Sequence, residues 1–203
     1  MVYLPLNGVG RNVSSLFLYF IKGEQILQRF NALQIPKENI LLMPRSQINW
    51  KHLLISILLC QFTGVLGALF TTPAIPTWYT NLVKPSFVPP SWTFSVVWPL
   101  LFLLMGIALY LVWEKGLEKA EVRKAMGVFG VQLFLNFLWS VLFFGLRSPL
   151  YGLVEIVGLW IIILVNIWLF YRISRTAGLL LVPYILWVSF ATVLNYTIWV
   201  LNV

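Results

Sequence analysis

The sequence predicts an all-α integral membrane protein, a bundle of five transmembrane helices. Three observations predict it. Of 203 residues, 60% are hydrophobic and only 10% are charged, where a soluble domain carries roughly a quarter charged residues. Mean hydropathy is +0.88. The apolar residues gather into five runs, at about 52–72, 93–113, 125–145, 149–171 and 177–201, each long enough to cross a hydrocarbon core of about 30 Å at about 1.5 Å per residue.

Residues 1–45 form an N-terminal extension of mixed character, and 46–203 form the five-span domain. Within the extension, residues 16–21 are apolar but too few to span, and no small-residue cleavage site follows, so the segment does not read as a signal peptide. Ile26, Phe30 and Leu33 recur at helical spacing, which suits a short interfacial helix. Met43, just before the first span, is an alternative biological start.

Between the first two spans lies residues 78–94, with Pro85, Pro89 and Pro90 and the rings of Trp78, Tyr79, Phe87, Trp92 and Phe94. Proline lacks the amide donor and restricts its predecessor, so this stretch reads as a stiff, ring-rich connection at the membrane surface that covers a ligand pocket. The loop after the second span is charged, and the turns after the third and fourth are short, so the last three spans are neighbours.

The formal charge of +8 orients the chain rather than marking a nucleic-acid partner. Lys37, Arg45, Lys51, Lys115, Lys119, Arg123, Lys124, Arg172 and Arg175 fall on the N-terminal side, against only Lys84 and Arg147 opposite. In a bacterial-type plasma membrane this puts the N-terminus in the cytoplasm and the C-terminus outside.

Inside the spans, polar and aromatic residues share helical faces. Gln132, Asn136, Trp139, Ser140 and Phe143 form one stripe, and Tyr184, Trp187, Ala191, Leu194 and Asn195 another. Trp98, Phe102, Met105 and Leu109 line a third face. Amides are costly in hydrocarbon without partners, so these stripes face the interior, where they serve either as interhelical glue or as ligand contacts. A few amides among large rings suit a flat, mostly apolar ligand. Glu155 is the acidic residue well inside a span, and Arg147 is its candidate cation. Gly64, Gly67 and Ala68 permit close packing or dimerisation, Cys60 is a packing residue, and His52 an interfacial side chain.

There is no aspartate, no second histidine, no metal-spaced Cys/His cluster and no phosphate-cradling glycine loop. Conventional hydrolysis, metal catalysis and nucleotide use find no machinery in this pattern, and no required cofactor is expected. No pair of repeated halves supports an inverted-repeat transporter.

Ordered motifs across residues 53–202 resemble the tryptophan-rich sensory protein and translocator protein family, which includes the mitochondrial peripheral-type benzodiazepine receptor. They are Trp78-Tyr79, Lys84-Pro85 and Pro89-Pro90; then Trp98, Met105-Gly106 and Tyr110-Leu111-Val112-Trp113. Gln132-Leu133, Leu135-Asn136, Trp139 and Phe143-Phe144-Gly145 follow, with Pro183-Tyr184, Trp187, Phe190-Ala191 and Leu194-Asn195-Tyr196 at the end. The resemblance implies a five-helix bundle, commonly a homodimer, that binds porphyrins such as protoporphyrin IX, benzodiazepine-site ligands and, in animals, cholesterol. By matching positions it implies a pocket of Trp78, Pro89, Pro90, Trp92, Asn136, Trp139, Tyr151, Trp187, Ala191 and Leu194.

The chain departs from the family pattern at Phe87, where many members carry tryptophan, and at Tyr151 and Glu155, where the animal members carry tryptophan and aspartate. Beyond Tyr196 it reads Thr-Ile-Trp-Val-Leu-Asn-Val, without the basic residue that a cholesterol motif needs, so no specific cholesterol site is expected. The resulting expectation is a non-enzymatic tetrapyrrole-binding membrane protein serving porphyrin homeostasis, transport or stress response. Two alternatives are a light-dependent porphyrin-degrading enzyme, since some family members are reported to degrade porphyrin in light, and a structural scaffold without saturable porphyrin binding.

Overall fold

The computed structural model describes residues 48–203. The expected N-terminal extension, with its interfacial helix, lies outside the described residues.

Five helical segments are long and apolar enough to cross a membrane. The first, α1, is Trp50–Thr77, started by Asn49, whose side chain accepts from the His52 amide at 3.3 Å. It runs five residues further than the sequence pattern suggests and passes through Pro73 and Pro76. A proline in a helix removes one amide donor, and such breaks are tolerated in membranes where nearby side chains satisfy freed backbone groups. Here the Thr80 hydroxyl donates to the Pro76 carbonyl at 3.2 Å and the Asn81 amide to that of Thr77 at 2.9 Å. These bonds cap the end of the helix.

The connection then makes one tight 3-10 turn, Tyr79–Asn81, and a second turn closed by the Val88 amide on the Pro85 carbonyl at 3.2 Å, before Pro90 caps α2, Ser91–Trp113. Residues 91–94 therefore belong to the first turn of α2, and the non-helical connection is shorter than its proline and aromatic content implies. Pro90 and Ser91 explain this, because a helix start has amide donors without internal acceptors and loses little there to proline.

Next come α3, Ala120–Ser140, and a wider π-type turn, Val141–Gly145, closed by the Leu146 amide on the Val141 carbonyl at 2.8 Å. Ser148 caps α4, Pro149–Ile173, with Pro149 in its first turn. The last span is not one helix as the hydropathy suggests. It breaks into α5, Arg175–Leu180, and α6, Val182–Leu201. Pro183 supplies the reason, since it has no amide to continue the ladder across Leu181.

The faces read from sequence are inward. Gln132, Asn136, Phe143, Tyr184, Leu194, Asn195, Phe102, Met105 and Leu109 are all buried. Outward, Ile55, Leu58, Phe62, Val65 and Leu69 leave α1 apolar toward lipid. The small residues of α1 are used inside the bundle. A side chain at Gly64 would meet the Phe102 ring at 2.6 Å, and one at Gly67 the Ser140 hydroxyl at 2.9 Å. These two glycines are thus packing positions within one chain.

Candidate functional site

Two ends of the bundle differ in chemistry. At one, the His52 ring stacks on Trp113 at 4.3 Å and its Nδ1 lies 2.6 Å from the Glu114 carboxylate, tying the start of α1 to the end of α2. The opposite end is closed by residues 78–90 and filled with rings.

That ring cluster is built by the π-type turn. The turn carries the consecutive residues Phe143 and Phe144, whose rings lie 4.8 Å apart, both buried. Trp139, one turn earlier, stacks on Phe143 at 5.0 Å and meets Phe144 edge-on at 5.7 Å. From the connection, Trp78 meets Phe143 at 5.5 Å and Tyr79 meets Phe144 at 5.7 Å. A second set of rings adjoins: Trp187 packs edge-on to Phe94 at 5.7 Å and tilts against Phe190 at 5.6 Å, and Phe87 sits over Phe190 at 6.4 Å. Leu194, Ala74 and Ile198 fill the remaining core around the first set.

The polar side chains among these rings are largely committed to one another. Asn136 donates to the Tyr184 hydroxyl at 2.8 Å. The Trp139 indole donates to the Asn195 side-chain oxygen at 3.2 Å, and Asn195 donates onward to the Pro149 carbonyl at 2.8 Å. Deeper in the bundle, Asn166 donates to the Gln132 side-chain oxygen at 2.9 Å. Trp160 donates to the Ser189 hydroxyl at 2.8 Å. Interhelical glue thus accounts for much of what the stripes contain. Five interior side chains keep buried polar atoms without a hydrogen-bond partner: the Ser56 hydroxyl, the Gln132 side-chain nitrogen, the Asn166 side-chain oxygen, the Trp187 indole N–H and both oxygens of Glu155. The pairing of Glu155 with Arg147 does not form; among the described residues the ion-pair contact is that of His52 with Glu114. Arg147 is exposed in its turn, at a φ of 52°.

Of the ten residues singled out in the sequence, Trp78, Trp139 and Leu194 meet in the ring cluster, and Trp187 and Ala191 pack against the neighbouring core. Asn136 lies beneath, bonded across the bundle. Pro89 and Pro90 end the connection at the start of α2. Trp92, 67% exposed, and Tyr151, 56% exposed, lie on the outer surface. Phe143, Phe144, Tyr79 and Tyr184 are components the family-matched set omits. Phe143-Phe144-Gly145 and Pro183-Tyr184 were visible as motifs, but the contact of Phe143 and Phe144 with Trp78 and the bond of Tyr184 to Asn136 appear only in the folded chain.

Another component had no sequence signal. Asn202 clasps the connection, accepting from the Val83 amide at 2.9 Å and donating to the Val83 carbonyl at 2.9 Å. It also donates to the Ile198 carbonyl at 2.7 Å, so the clasp is anchored on α6. Lys84 rests over the Tyr79 ring at 4.8 Å while donating to the Thr80 and Leu82 carbonyls. Burial raises the Tyr79 hydroxyl above its ordinary value, which keeps it neutral beneath the lysine.

The cluster is packed rather than hollow. Two concavities of the molecule are open grooves on its outside, one of about 570 Å³ along Ile55, Leu58, Phe62 and Val65 and one of about 300 Å³ between Val157, Trp160, Ser189 and Thr192. Neither reaches the rings. Among the described residues no three metal-capable side chains gather. What gathers is ring faces and amides under a proline-stiffened cover.

Comparison with known proteins agrees with this architecture. Residues 56–200 match the TspO/MBR family. The chain is 51% identical over 144 residues to the tryptophan-rich protein TspO of Chlorobaculum tepidum, covering 71% of this chain and 91% of that one. It is 46% identical over 155 residues to the tryptophan-rich protein TspO of Archaeoglobus fulgidus, covering 76% and 99%. Against the human translocator protein it is 38% identical over 125 residues, covering 60% and 73%. With five apolar spans, an aromatic cluster beneath the connection between the first two, and matches over most of its length, this chain is an integral membrane protein of the TspO/MBR family.

Proposed function

We propose that this protein binds a flat tetrapyrrole of the protoporphyrin class at the ring cluster, as a sensor or carrier in porphyrin homeostasis. The observation that carries this reading is the convergence of Trp78, Tyr79, Trp139, Phe143 and Phe144 beneath one connection, with Phe94, Trp187 and Phe190 adjoining. Offset and edge-on ring contacts each add about 0.5–1.5 kcal/mol beyond area burial, so a macrocycle entering among several of them gains much of its affinity without a charged partner. Because the rings already fill the space, entry requires the connection to lift and rings such as Trp139 and Trp187 to exchange their mutual contacts for ligand contacts.

The ligand arrives from, or leaves toward, the side of the membrane bearing the connection, which by charge is the non-cytoplasmic side. A homodimer in the bilayer completes the reading, with the apolar outer faces available for it.

Titrating protoporphyrin IX into the purified protein in nanodiscs, in the dark, tests the site. Replacing Trp139 and Trp187 together by leucine is expected to weaken saturable binding by about tenfold or more, the loss of about two ring contacts. Unchanged affinity in the double variant would refute the site.

A further inference from the structure

We propose that Lys84 is the carboxylate anchor of the ligand site, holding a peripheral acid group of the bound macrocycle at the rim of the ring cluster. This rests on the ring-cluster reading given above and names the ligand group that decides which macrocycles the protein prefers.

Lys84 is the charged residue of the connection; the rest of residues 78–94 are apolar, aromatic or neutral. Its Nζ lies over the Tyr79 ring at 4.8 Å, and Tyr79 packs on Phe144 at 5.7 Å and on Phe143 at 6.3 Å. One ring therefore separates the ammonium from the centre of the cluster. Two contacts tie this stretch to the end of α6: Asn202 clasps Val83, and Phe87 meets Phe190 at 6.4 Å. The lysine is thus held half-buried on the cover of the rings.

An ammonium carries three N–H donors. Two are used, on the Thr80 carbonyl at 3.1 Å and the Leu82 carbonyl at 3.2 Å, and the third has no acceptor among the described residues. Both acceptors are neutral, so the charge itself is uncompensated. Among the described residues no acidic side chain stands at this end. Glu114, Glu118 and Glu121 follow α2 at the opposite end, with Glu114 held by His52, and Glu155 is buried within α4. A cation laid on an aromatic face, with a spare donor and no counter-charge, complements a molecule that is flat and apolar over most of its area and anionic at its rim. A protoporphyrin has that form. Its carboxylates stand on flexible arms at the edge of the macrocycle, so the disc enters among the rings while an arm reaches Lys84. The other cation at this end, Arg147, is exposed in its turn and lies over no ring among the described residues.

The test uses the full chain in nanodiscs of zwitterionic lipid at neutral pH, in the dark, with binding to empty nanodiscs subtracted. The probes are protoporphyrin IX and its dimethyl ester, which keeps the macrocycle and has no carboxylate. Wild type is expected to bind the diacid about fivefold or more tightly than the diester, the worth of one half-buried charge-assisted bond. Lys84→Met keeps an apolar stem and removes the charge. It should weaken the diacid by about fivefold or more and change the diester by less than about twofold. Lys84→Arg keeps the charge and should hold diacid affinity within about threefold of wild type. Arg147→Gln should leave the preference for the diacid intact.

Equal weakening of diacid and diester in Lys84→Met makes Lys84 a support for the connection, acting through its carbonyl bonds, and overturns the proposal. Unchanged diacid affinity in that variant overturns it too, as does a Lys84→Arg protein as weak as Lys84→Met. A preference lost in Arg147→Gln moves the anchor to Arg147 and overturns the assignment. Saturable wild-type binding of both probes without preference removes this inference and leaves the ring-cluster reading standing. Wild-type protein that binds neither probe overturns that reading, and this inference falls with it.

Discussion

Asn202 and Tyr79 hold the cover in place by different means, and each can be tested alone. Asn202 makes a reciprocal pair of bonds to Val83 across 119 residues of sequence. Asn202→Ala removes both, and intramolecular hydrogen bonds contribute about 0.5–1.5 kcal/mol each, so hydrogen exchange at the Val83 amide should accelerate by about tenfold or more. Exchange at wild-type rate would show that the prolines alone hold the connection. Tyr79 adds a pH dependence. Its hydroxyl is raised above the ordinary 10.0 by burial, so the folded protein keeps the proton at pH values where the unfolded chain has lost it. The stabilisation is therefore fully present below pH 10.0 and is lost as pH rises through the higher folded value. Thermal melting followed above pH 10.0 should fall more steeply for wild type than for Tyr79→Phe; parallel curves would remove Tyr79 from the account.

At the scale of elements, the connection between α1 and α2 acts as a cover over rings supplied by α3 and α6. Deleting residues 80–88 removes the Val83 clasp and the Phe87 contact while leaving every apolar span intact. The shortened chain should still insert with five spans, as read by protease protection, and lose protoporphyrin IX affinity by about tenfold, the worth of the contacts removed. Full affinity in that deletion would reduce the stretch to a tether. The π-type turn is the other decisive element. Nothing in Val-Leu-Phe-Phe-Gly distinguishes it from an ordinary helical turn, yet it places Phe143 and Phe144 together against Trp78. Such turns arise from packing and occur often at functional sites, so a periodic reading of the sequence passes over them.

For the whole molecule, the two ends carry different charge. Lys84 and Arg147 lie at the ring-filled end, and Lys51, Lys115, Lys119, Lys124, Arg172 and Arg175 at the other. Positive residues are retained on the cytoplasmic side. In spheroplasts of a bacterial host, cysteines introduced at Lys84 and at Lys119 in a Cys60→Ala background should differ, the first labelled from outside by a membrane-impermeant reagent and the second only after lysis. The reverse pattern would invert the proposed direction of ligand access.

Composition and run length settled the membrane class and the number of spans, because the bilayer demands long apolar helices and accepts few charges. Helical spacing also determined which faces turn inward, and the ordered Trp, Pro and Asn motifs carried the family. What the sequence could not fix is everything that depends on partners far apart in the chain or on a local change of helical pitch. Asn136 and Asn195 look alike as lone amides, but Tyr184 and Trp139 claim them. Glu155 looks ready to pair with Arg147, yet its inward position on α4 leaves it without any partner. Only the tertiary structure could assign those bonds, since a polar group in hydrocarbon is defined by what packs against it.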